Sequence, residues 1–487
     1  MNRSSTIKLE YDPGEGLSFW QVIEKLPGYP AGEHMPISSM LFESDAIYKL
    51  PGVLTKIHAD PKKPLLVVMD MTPMFRQGKD LKQLVRQILS DAGWQVIPVL
   101  MEPDNTGQVH TDMSHIDAVK KNIRQGISLL ALGSGTVCDI TKHAGYLYEK
   151  ETGTEIKFVV YQTANSVSAF TSNMAPTFVD GVKRTLPSRY PDAVISDLET
   201  LADAPYEMTV AGVGDLLVAF VSLPDWYLAN QLGMDPAYNE FAQRLMGPLD
   251  DIFLAQAKSI HERSSEGMAV LAKLIALGGL AMSLSHATTP MSGYEHVMSH
   301  ILDLLAETAN QPLAQHGTQV ALTTLLAAEG YQHFLGEFDP SEVNQAACYP
   351  DAIQMEKNIR QAYIQIDPTG KAGEECWADY RLKLEAWQSQ RKGFEEFLKN
   401  WPVIRQRLDG STRTPGRLLE IMRAIDSPLT FGELAPPISE AQARFAFMNS
   451  PLMRKRLTLG DLFIFLNWDR EGLWKQIWRR TQVSVNK

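Results

Sequence analysis

Histidine side chains are concentrated in one short part of the chain. His296, His300 and His316 are three of the eleven histidines, and they fall within twenty-one residues. Upstream, Asp215 stands in the apolar stretch AGVGDLLVAF, where a carboxylate is costly to bury unless it is paired or binds a metal. One aspartate with two histidines is a ligand set that suits zinc, iron or nickel. The pattern therefore predicts a divalent metal site, with ordinary core histidines and an exposed helix stripe as the alternatives.

A glycine-rich turn follows an apolar run in LALGSGTVCDITK. Gly133, Ser134, Gly135 and Thr136 stand between this run and a helix-like stretch. Glycines let a backbone approach a phosphate, and the first turn of a helix offers unpaired N–H groups and the positive end of its dipole. The turn therefore predicts either a nucleotide site or a plain strand-to-helix connection. Asp70, which ends an earlier apolar run, is a candidate acceptor for an adenosine ribose, and its alternative role is a turn cap.

The elements that must position these residues alternate in the first part of the chain. Apolar runs separated by amphipathic helices imply a parallel sheet covered on both faces, and ligands bind at the carboxyl ends of such strands. The last predicted strand leads into YQTANSVSAFTSN, whose dense hydroxyl groups either line a ligand site or cap turns. The predicted strands cover 64–70, 94–101, 127–135 and 157–164, with helices at 79–92 and 117–126.

After about residue 200, apolar residues recur at helical spacing and β-branched runs are few. We therefore predict an α/β nucleotide-binding domain over 41–200 and a helical metal- and substrate-binding domain over 201–487. An extension at 1–40 precedes them and has little core of its own. The segment 337–373, rich in proline and glycine, is predicted to be a loop or an insertion. Helices are predicted at 208–232, 239–260, 266–285 and 294–309, and within 375–400 and 415–480.

The composition is that of an ordinary soluble protein. Of 487 residues, 44% are hydrophobic and 21% are charged, and the formal net charge is −11. This acidity argues against non-specific binding to nucleic acid. The chain shows no run of eighteen apolar residues and no apolar signal-peptide core near its start, so no membrane span is expected. Three scattered cysteines do not suit a disulfide framework, which predicts a reducing cytoplasm.

Five motifs, in the order GSGTxxDxTK, TAxS, AGxGD, SGxEHxxSH and HG, resemble those of the iron-containing alcohol dehydrogenase superfamily. The sn-glycerol-1-phosphate dehydrogenases are the most similar branch, and the likeness covers about 36–468. It implies a dehydroquinate synthase-like fold, with a Rossmann-like nucleotide-binding domain, a helical domain and the site in the cleft between them. The family's metal ligands match Asp215, His296 and His316, and its substrate-contacting histidine matches His300. Its nicotinamide-cofactor contacts match Gly133, Ser134, Gly135, Thr136, Asp139, Lys142, Thr163, Ser166 and Ser172.

Two positions on the substrate side depart from the family pattern. Where the family has an aspartate that contacts substrate hydroxyls, this chain has Ser168, followed by Ala169. Where the glycerol-phosphate branch is expected to carry an arginine for the phosphate, this chain has Thr289. The resemblance implies an oxidoreductase that uses NAD or NADP and one divalent metal to interconvert a small polyol and its ketone. We assign His300 and Ser168 to the catalytic side, and whether the substrate is phosphorylated, like glycerol 1-phosphate, is left open.

Two other functions remain open. The 3-dehydroquinate synthases share the two-domain plan, the NAD and the metal. However, they use a glutamate where this chain has Asp215, and they carry lysines and arginines that are scarce here. The second alternative is an inactive homologue that acts as a binding protein, against which the three retained metal ligands speak. The sequence does not decide between zinc, iron and nickel, and it leaves the oligomeric state open, a homodimer included.

Overall fold

The computed structural model describes residues 9–34, 36–179 and 182–485. The described residues form two compact units. Unit 1 runs up to Leu216 and includes Gln243–His286, and unit 2 comprises Leu217–Ala242 and the residues from Ala287 onwards. Unit 1 therefore holds the α/β part of the chain together with several helices that follow it in sequence.

Unit 1 is built on a parallel sheet. The strands among the described residues are β1 (Ser39–Glu43), β2 (Leu65–Asp70), β3 (Phe75–Arg76), β4 (Lys79–Asp80), β5 (Val96–Met101), β6 (Ser128–Gly133), β7 (Phe158–Gln162), β8 (Met174–Val179), β9 (Val182–Pro187) and β10 (Ala193–Asp197). Six of them form one sheet in the order β1-β10-β7-β6-β2-β5, with every pairing parallel. The other four form two antiparallel hairpins. All residues of β6, β7 and β10 are buried, as expected for central strands covered on both faces.

The sheet has a topological switch point beside β2. From β2 the chain moves outward to β5 and then returns to the other side of β2 to form β6. Val68 pairs with Ala131, so Asp70 and Gly133, two residues further along each strand, end side by side. Open α/β sheets bind their ligands at such a switch point, beyond the carboxyl ends of the strands. The fold thus brings together the two nucleotide-binding elements that the sequence predicts separately.

Helices cover the sheet of unit 1, and several begin at a side chain that caps the first turn. Asp80 accepts a hydrogen bond from the N–H of Gln83 at the start of the helix Leu81–Asp91, and Asp112 accepts one from the N–H of His115 at the start of the helix Met113–Lys120. The helices of this unit, of which α7 and α9 cross its boundary, are α1 (Leu17–Ile23), α2 (Leu50–Lys56), α3 (Leu81–Asp91), α4 (Met113–Lys120), α5 (Gly135–Thr152), α6 (Leu198–Asp203), α7 (Tyr206–Leu217), α9 (Phe241–Met246), α10 (Leu249–His261) and α11 (Ser265–Leu284), with 3-10 turns at Pro13–Glu15 and Ala46–Lys49.

Unit 2 is helical throughout its described residues, and large aromatic side chains fill its core. Trp387 stacks on Phe465 with 4.5 Å between ring centroids, and Trp401 meets Phe338 edge-on at 4.8 Å. Its helices are α8 (Ala219–Gln231), α12 (Tyr294–Thr308), α13 (His316–Glu337), α14 (Ala352–Tyr363), α15 (Lys371–Ser389), α16 (Arg391–Lys399), α17 (Trp401–Ser411), α18 (Pro415–Ala424), α19 (Glu440–Asn449), α20 (Leu459–Phe465) and α21 (Arg470–Val485). Its 3-10 turns are Thr289–Met291, Pro340–Glu342, Gln345–Cys348, Phe431–Glu433 and Ser450–Leu452.

The predicted fold class is confirmed. All four predicted strands form, as β2, β5, β6 and β7, and the described chain after β10 is helical. The sequence does not predict β1, β10 or either hairpin, because these elements are short or flanked by proline and charge. The segment 337–373 is predicted to be a loop or an insertion. It is not a loop throughout, because α14 lies within it and buries Ile359 and Tyr363, and the insertion alternative stays a prediction. Of the N-terminal extension, residues 1–8 lie outside the described residues, and α1 contributes Phe19, Trp20 and Ile23 to buried packing.

Among the residues that the structure describes, two helical segments are long and apolar enough to cross a membrane, which is not expected from the sequence. They are Tyr206–Gln231 and Ser265–Leu284. In each, 83% of the most apolar window is buried inside the protein, as is common for core helices of folded domains. Their length and composition are therefore weak evidence for a membrane span.

Candidate active site

The glycine turn at the end of β6 has no room for side chains. A Cβ atom on Gly133 would lie 2.5 Å from the side chain of Val137, and one on Gly135 would lie 2.4 Å from that of Val167. Contacts this short do not occur between a Cβ atom and its neighbours in folded proteins, so the turn requires glycine at both positions. The backbone at Gly133 packs against Val137 of α5, and the backbone at Gly135 packs against Val167 in the loop that follows β7. These two contacts explain why both positions are glycine.

Polar groups flank this turn. Ser134 is the N-cap residue of α5, but its side chain makes no capping hydrogen bond, and both it and Thr136 are partly exposed. Asp70 lies at the neighbouring strand end, where its Oδ1 atom accepts a hydrogen bond from the N–H of Thr72 at 3.0 Å. A helix N-terminus of this kind suits a phosphate, and a carboxylate at the adjacent strand end suits ribose hydroxyls. Unit 1 therefore offers the chemistry that a dinucleotide requires.

Asp139 and Lys142 lie on the buried face of α5. The Nζ atom of Lys142 is 2.7 Å from Oδ1 of Asp139, and it donates a hydrogen bond to the carbonyl of Ala169 at 3.1 Å. Burial raises the pKa of Asp139, and the neighbouring Lys142 opposes that rise. The pair connects α5 to residues 163–173, which we call the hydroxyl loop. A direct contact of either side chain with the cofactor stays a prediction.

The hydroxyl loop joins β7 to β8 and begins beside the glycine turn. The N–H of Thr163 donates to the carbonyl of Gly133 at 3.2 Å. Ser166 and Ser172 are buried further along the loop, and Oγ of Ser172 accepts a hydrogen bond from the N–H of Met174 at 3.1 Å. The three predicted cofactor contacts on this loop are thus held in one segment, and their contact with a cofactor also stays a prediction.

Asp215 lies in α7 and is almost fully buried, with 6% of its surface exposed. Two donors from one residue of the hydroxyl loop bind its Oδ2 atom: the N–H of Ser168 at 2.8 Å and the hydroxyl of Ser168 at 2.9 Å. A buried carboxylate needs such donors or a cation to offset its desolvation. Ser168 is predicted on the catalytic, substrate-facing side, and in the structure its hydroxyl donates to the predicted metal ligand Asp215.

The three predicted histidines converge within unit 2. His296 and His300 lie one turn apart in α12, and His316 is the first residue of α13. The ring centroids are 5.4 Å apart for His296 and His316, 6.1 Å for His296 and His300, and 6.5 Å for His300 and His316. Nε2 of Gln319 in α13 donates to Oδ1 of Asp303 in α12 at 2.9 Å, which ties the two helices together. The chain thus brings these three histidines together, although twenty residues separate the first from the last.

Glu295 is a further site residue that the sequence analysis does not identify. It is fully buried beside His296, and its Oε1 atom lies 3.1 Å from Nδ1 of that histidine. The same Oε1 atom accepts a hydrogen bond from the N–H of Gly293 at 2.7 Å. A carboxylate bound to one ring nitrogen sets the tautomer that leaves the other nitrogen free for a metal. The glutamate next to the ligand in SGYEH is the sequence signal that could have identified it.

Asp225 in α8 is a second buried carboxylate that the sequence analysis misses, and no motif marks it. Its Oδ2 atom accepts a hydrogen bond from the N–H of Tyr294 at 2.7 Å. Its Oδ1 atom accepts one from the hydroxyl of Tyr331 at 2.5 Å and one from the N–H of Leu459 at 3.0 Å. Burial raises the pKa of Asp225 to about 7, the carboxylate of Glu295 adds to this rise, and the hydrogen bonds oppose it. Asp225 therefore fixes the start of α12, the helix that carries two of the histidines.

Asp215, His296 and His316 form a group that suits a metal ion. Each offers one ligand atom, and the three atoms lie within 4.8 Å of one another. Ligands at about 2.1 Å from a zinc ion are themselves separated by roughly 3–4 Å, so small side-chain adjustments would bring these atoms to an ion. A carboxylate with two imidazoles is also the right chemistry for zinc or iron, and it leaves coordination positions open. His300 lies outside this group, although its ring is close to both imidazoles.

Comparison with known proteins identifies relatives over a large part of the chain. A family model described as iron-containing alcohol dehydrogenase matches residues 41–205. A glycerol-1-phosphate dehydrogenase (NAD(P)+) of Haloarcula marismortui is 30% identical over 261 residues, which are 54% of this chain and 68% of that protein. A protein of the same name from Bacillus licheniformis is 31% identical over 275 residues, which are 56% of this chain and 66% of that protein. The chain thus spans about two thirds of the length of these curated relatives.

Solved structures share the fold. The glycerol dehydrogenase of Schizosaccharomyces pombe is 12% identical with a TM-score of 0.53, and the superposition covers 92% of this chain and 93% of that one. An iron-containing alcohol dehydrogenase of Thermococcus thioreducens, also 12% identical, gives a TM-score of 0.53 over 92% of this chain and 99% of that one. Similarity at this distance establishes the fold alone. The family model and the curated relatives show that the chain belongs to the iron-containing alcohol dehydrogenase family.

Proposed function

We propose that the chain is a metal-dependent oxidoreductase that uses NAD or NADP to interconvert a small polyol and its ketone. The observation that carries this proposal is the group of Asp215, His296 and His316, whose ligand atoms lie within 4.8 Å of one another in a chain of this family. The names of the curated relatives support a substrate resembling glycerol 1-phosphate. The three cysteines are free and buried, which supports a reducing cytoplasm as the location.

The cofactor would bind at the switch point of the sheet in unit 1. The backbone of Gly133 and Gly135, where no Cβ fits, supports close approach of the pyrophosphate to the start of α5. The partly exposed hydroxyls of Ser134 and Thr136 would add hydrogen bonds. Asp70 at the adjacent strand end would accept hydrogen bonds from a ribose, a role that favours a free 2′-hydroxyl over a 2′-phosphate.

The reaction chemistry would come from the two bound groups. A divalent metal would polarise the substrate oxygen, and a nicotinamide would accept or supply the hydride. Asp215, His296 and His316 would hold the ion, while Ser168 and Glu295 hold the first two of these ligands in place. His300, whose ring centroid is 6.1 Å from that of His296, would take up or release the proton of the substrate hydroxyl.

The substrate side lacks fixed charge at the two positions where this chain departs from its family. Ser168 and Thr289 are both neutral and both buried. Neither supplies a cation for a phosphate or a carboxylate for polyol hydroxyls, so phosphorylated and unphosphorylated substrates belong in the same test. The reaction type therefore rests on the ligand group, and the substrate is to be identified by assay.

The test uses the purified full chain, stripped of metal and reloaded with zinc, iron or nickel. Dihydroxyacetone phosphate, dihydroxyacetone and a panel of other ketones are each supplied with NADH and with NADPH, and cofactor absorbance is followed. We expect oxidation of the reduced cofactor that requires both a ketone and a metal. Failure of the chain to bind any of the three metals would refute the proposal. Binding of metal and NADH without turnover of any ketone would instead favour one of the two alternatives, the inactive homologue or the cyclase.

A further inference from the structure

We infer that Ser168 is a positioning residue for Asp215 and thereby sets the affinity of the metal site, an inference that rests on the proposed function. Its N–H and its hydroxyl both donate to the same oxygen, Oδ2 of Asp215, at 2.8 and 2.9 Å. Two donors from one residue on one oxygen restrict rotation of the carboxylate about its own axis. All of these atoms belong to unit 1 and are buried, so water does not compete with them.

Ser168 can hold Asp215 only because the hydroxyl loop is itself seated on glycines of α11. A Cβ atom on Gly278 would lie 2.8 Å from Oγ of Ser168, and one on Gly279 would lie 2.9 Å from the carbonyl oxygen of Ser168. The hydroxyl of Thr171 donates to the carbonyl of Ala276 in the same helix at 2.7 Å. The loop backbone therefore packs directly on this helix, and Ser168 has little freedom to move away from the carboxylate.

A second helix holds the loop from another side. A Cβ atom on Gly212 of α7 would lie 2.2 Å from the carbonyl oxygen of Asn165. The side-chain amide of the same Asn165 donates to the carbonyl of Met268 in α11 at 3.1 Å, so this residue contacts both helices. Because Gly212 precedes Asp215 by three residues in one helix, the loop and the carboxylate are fixed to the same rigid element. The position of Ser168 relative to Asp215 is thus determined by packing rather than by the hydrogen bonds alone.

The role follows from general metal-site chemistry. A ligand whose orientation is fixed before the ion binds loses less conformational entropy on binding, and groups that orient metal ligands commonly change affinity 10- to 100-fold. Ser168 is neutral, so it orients Asp215 without drawing on the negative charge that attracts a cation. An aspartate at this position would place a second carboxylate next to Asp215, and the two would repel each other in the absence of a cation.

The test compares S168A with T171V in the full chain. S168A removes the hydroxyl bound to Asp215, and T171V removes a buried hydroxyl of the same loop that binds only the helix backbone. Zinc affinity is measured by competition with a chromogenic chelator, and thermal unfolding of the metal-free proteins is measured in parallel. We expect zinc binding to weaken about tenfold or more in S168A and to stay within twofold of the parent in T171V, with similar losses of thermal stability.

A third variant separates positioning from packing. S168T keeps a hydroxyl at this position, and we expect it to restore most of the zinc affinity that S168A loses. Equal zinc affinity in S168A and the parent would overturn the inference, and so would equal weakening in S168A and T171V. A parent protein that binds no zinc, iron or nickel would instead refute the proposed function itself, so the two failures are distinguishable.

Discussion

The aspartate and the first histidine of the ligand group are held by different chemistry. Asp215 is bound by the N–H and the hydroxyl of Ser168, two neutral donors on a loop that packs against glycines. His296 is bound by Glu295, a fully buried carboxylate that also accepts a hydrogen bond from a backbone N–H. The proposed ligand Asp215 in unit 1 is therefore held by a closely packed loop with neutral donors. The proposed ligand His296 in unit 2 is held by a buried charged group.

The charged arrangement of unit 2 extends beyond one pair. Asp225 lies near Glu295, and Arg456 donates a hydrogen bond to the carbonyl of Ser292, three residues before Glu295. Burial lowers the pKa of Arg456 to about 10, and the nearby carboxylates oppose this fall. Buried charges keep a geometry only while their partners remain ionised, whereas close packing is insensitive to protonation. This difference predicts that the histidine site in unit 2 is sensitive to pH and to substitutions that remove a charge. The aspartate site in unit 1 should instead be sensitive to substitutions that add side-chain volume.

The largest expected effect comes from removing a ligand. H296A leaves two of the three ligands, and we expect loss of stoichiometric metal and a fall in turnover of roughly 10²–10³-fold or more. Elemental analysis of the purified protein and the ketone assay measure the two effects. H333A, which alters a histidine of α13 that packs against Trp468, is the matched control and should keep its metal. A metal-free H296A variant that retains parental turnover would exclude the metal from the reaction.

The charged side of the comparison is tested by E295Q. Glutamine keeps the length of the side chain but removes the negative charge that binds the imidazole N–H, so we expect zinc affinity to fall about 10- to 100-fold. E307Q changes the other glutamate of α12 and is expected to have no effect on zinc binding. If E295Q binds zinc as tightly as the parent, the buried carboxylate serves to cap the start of the helix and does not orient the ligand.

The packed side of the comparison is tested by G212A. The new methyl group would lie 2.2 Å from the carbonyl oxygen of Asn165 and must displace the hydroxyl loop. We expect the free energy of unfolding to fall by about 2–3 kcal/mol, the cost of overpacking, and zinc affinity to fall with it. G52A adds a methyl group to an exposed position of a helix in the same unit where nothing lies within 4 Å, and it should be neutral or stabilising by up to about 1 kcal/mol. Chemical denaturation measures both free energies of unfolding. Equal values for G212A and G52A would show that the hydroxyl loop moves aside at no cost in stability.

Motifs in the sequence mark the proposed metal ligands but not the groups that hold them. Asp215, His296 and His316 fall in motifs whose order is specific, and the glycine turn is marked by its composition. Ser168 follows the TAxS motif at a position where the chain departs from the family pattern, and its partner depends on how the hydroxyl loop packs onto α7 and α11. Asp225 lies sixty-nine residues before its partner Tyr294, and no spacing rule connects them. Long-range packing, which periodicity and motifs do not encode, therefore decides how the ligands are oriented.

The smallest expected effect is a change in how stability depends on pH. Burial raises the pKa of Glu329, in α13 of unit 2, to about 7, and Arg480 opposes this rise. The folded protein therefore holds this proton more tightly than the unfolded chain. The resulting contribution to the free energy of unfolding is full below about pH 4.5 and is lost as the pH rises through 7.

E329Q keeps the site neutral at every pH. Between pH 5 and pH 8 its free energy of unfolding should therefore fall by about 1–2 kcal/mol less than that of the parent. Exposed Glu337 at the end of the same helix provides the control E337Q, which should follow the parent. Urea denaturation at several pH values measures the free energy of unfolding as a function of pH. If this free energy changes equally with pH in E329Q and the parent, the carboxyl group of Glu329 ionises freely in the folded state.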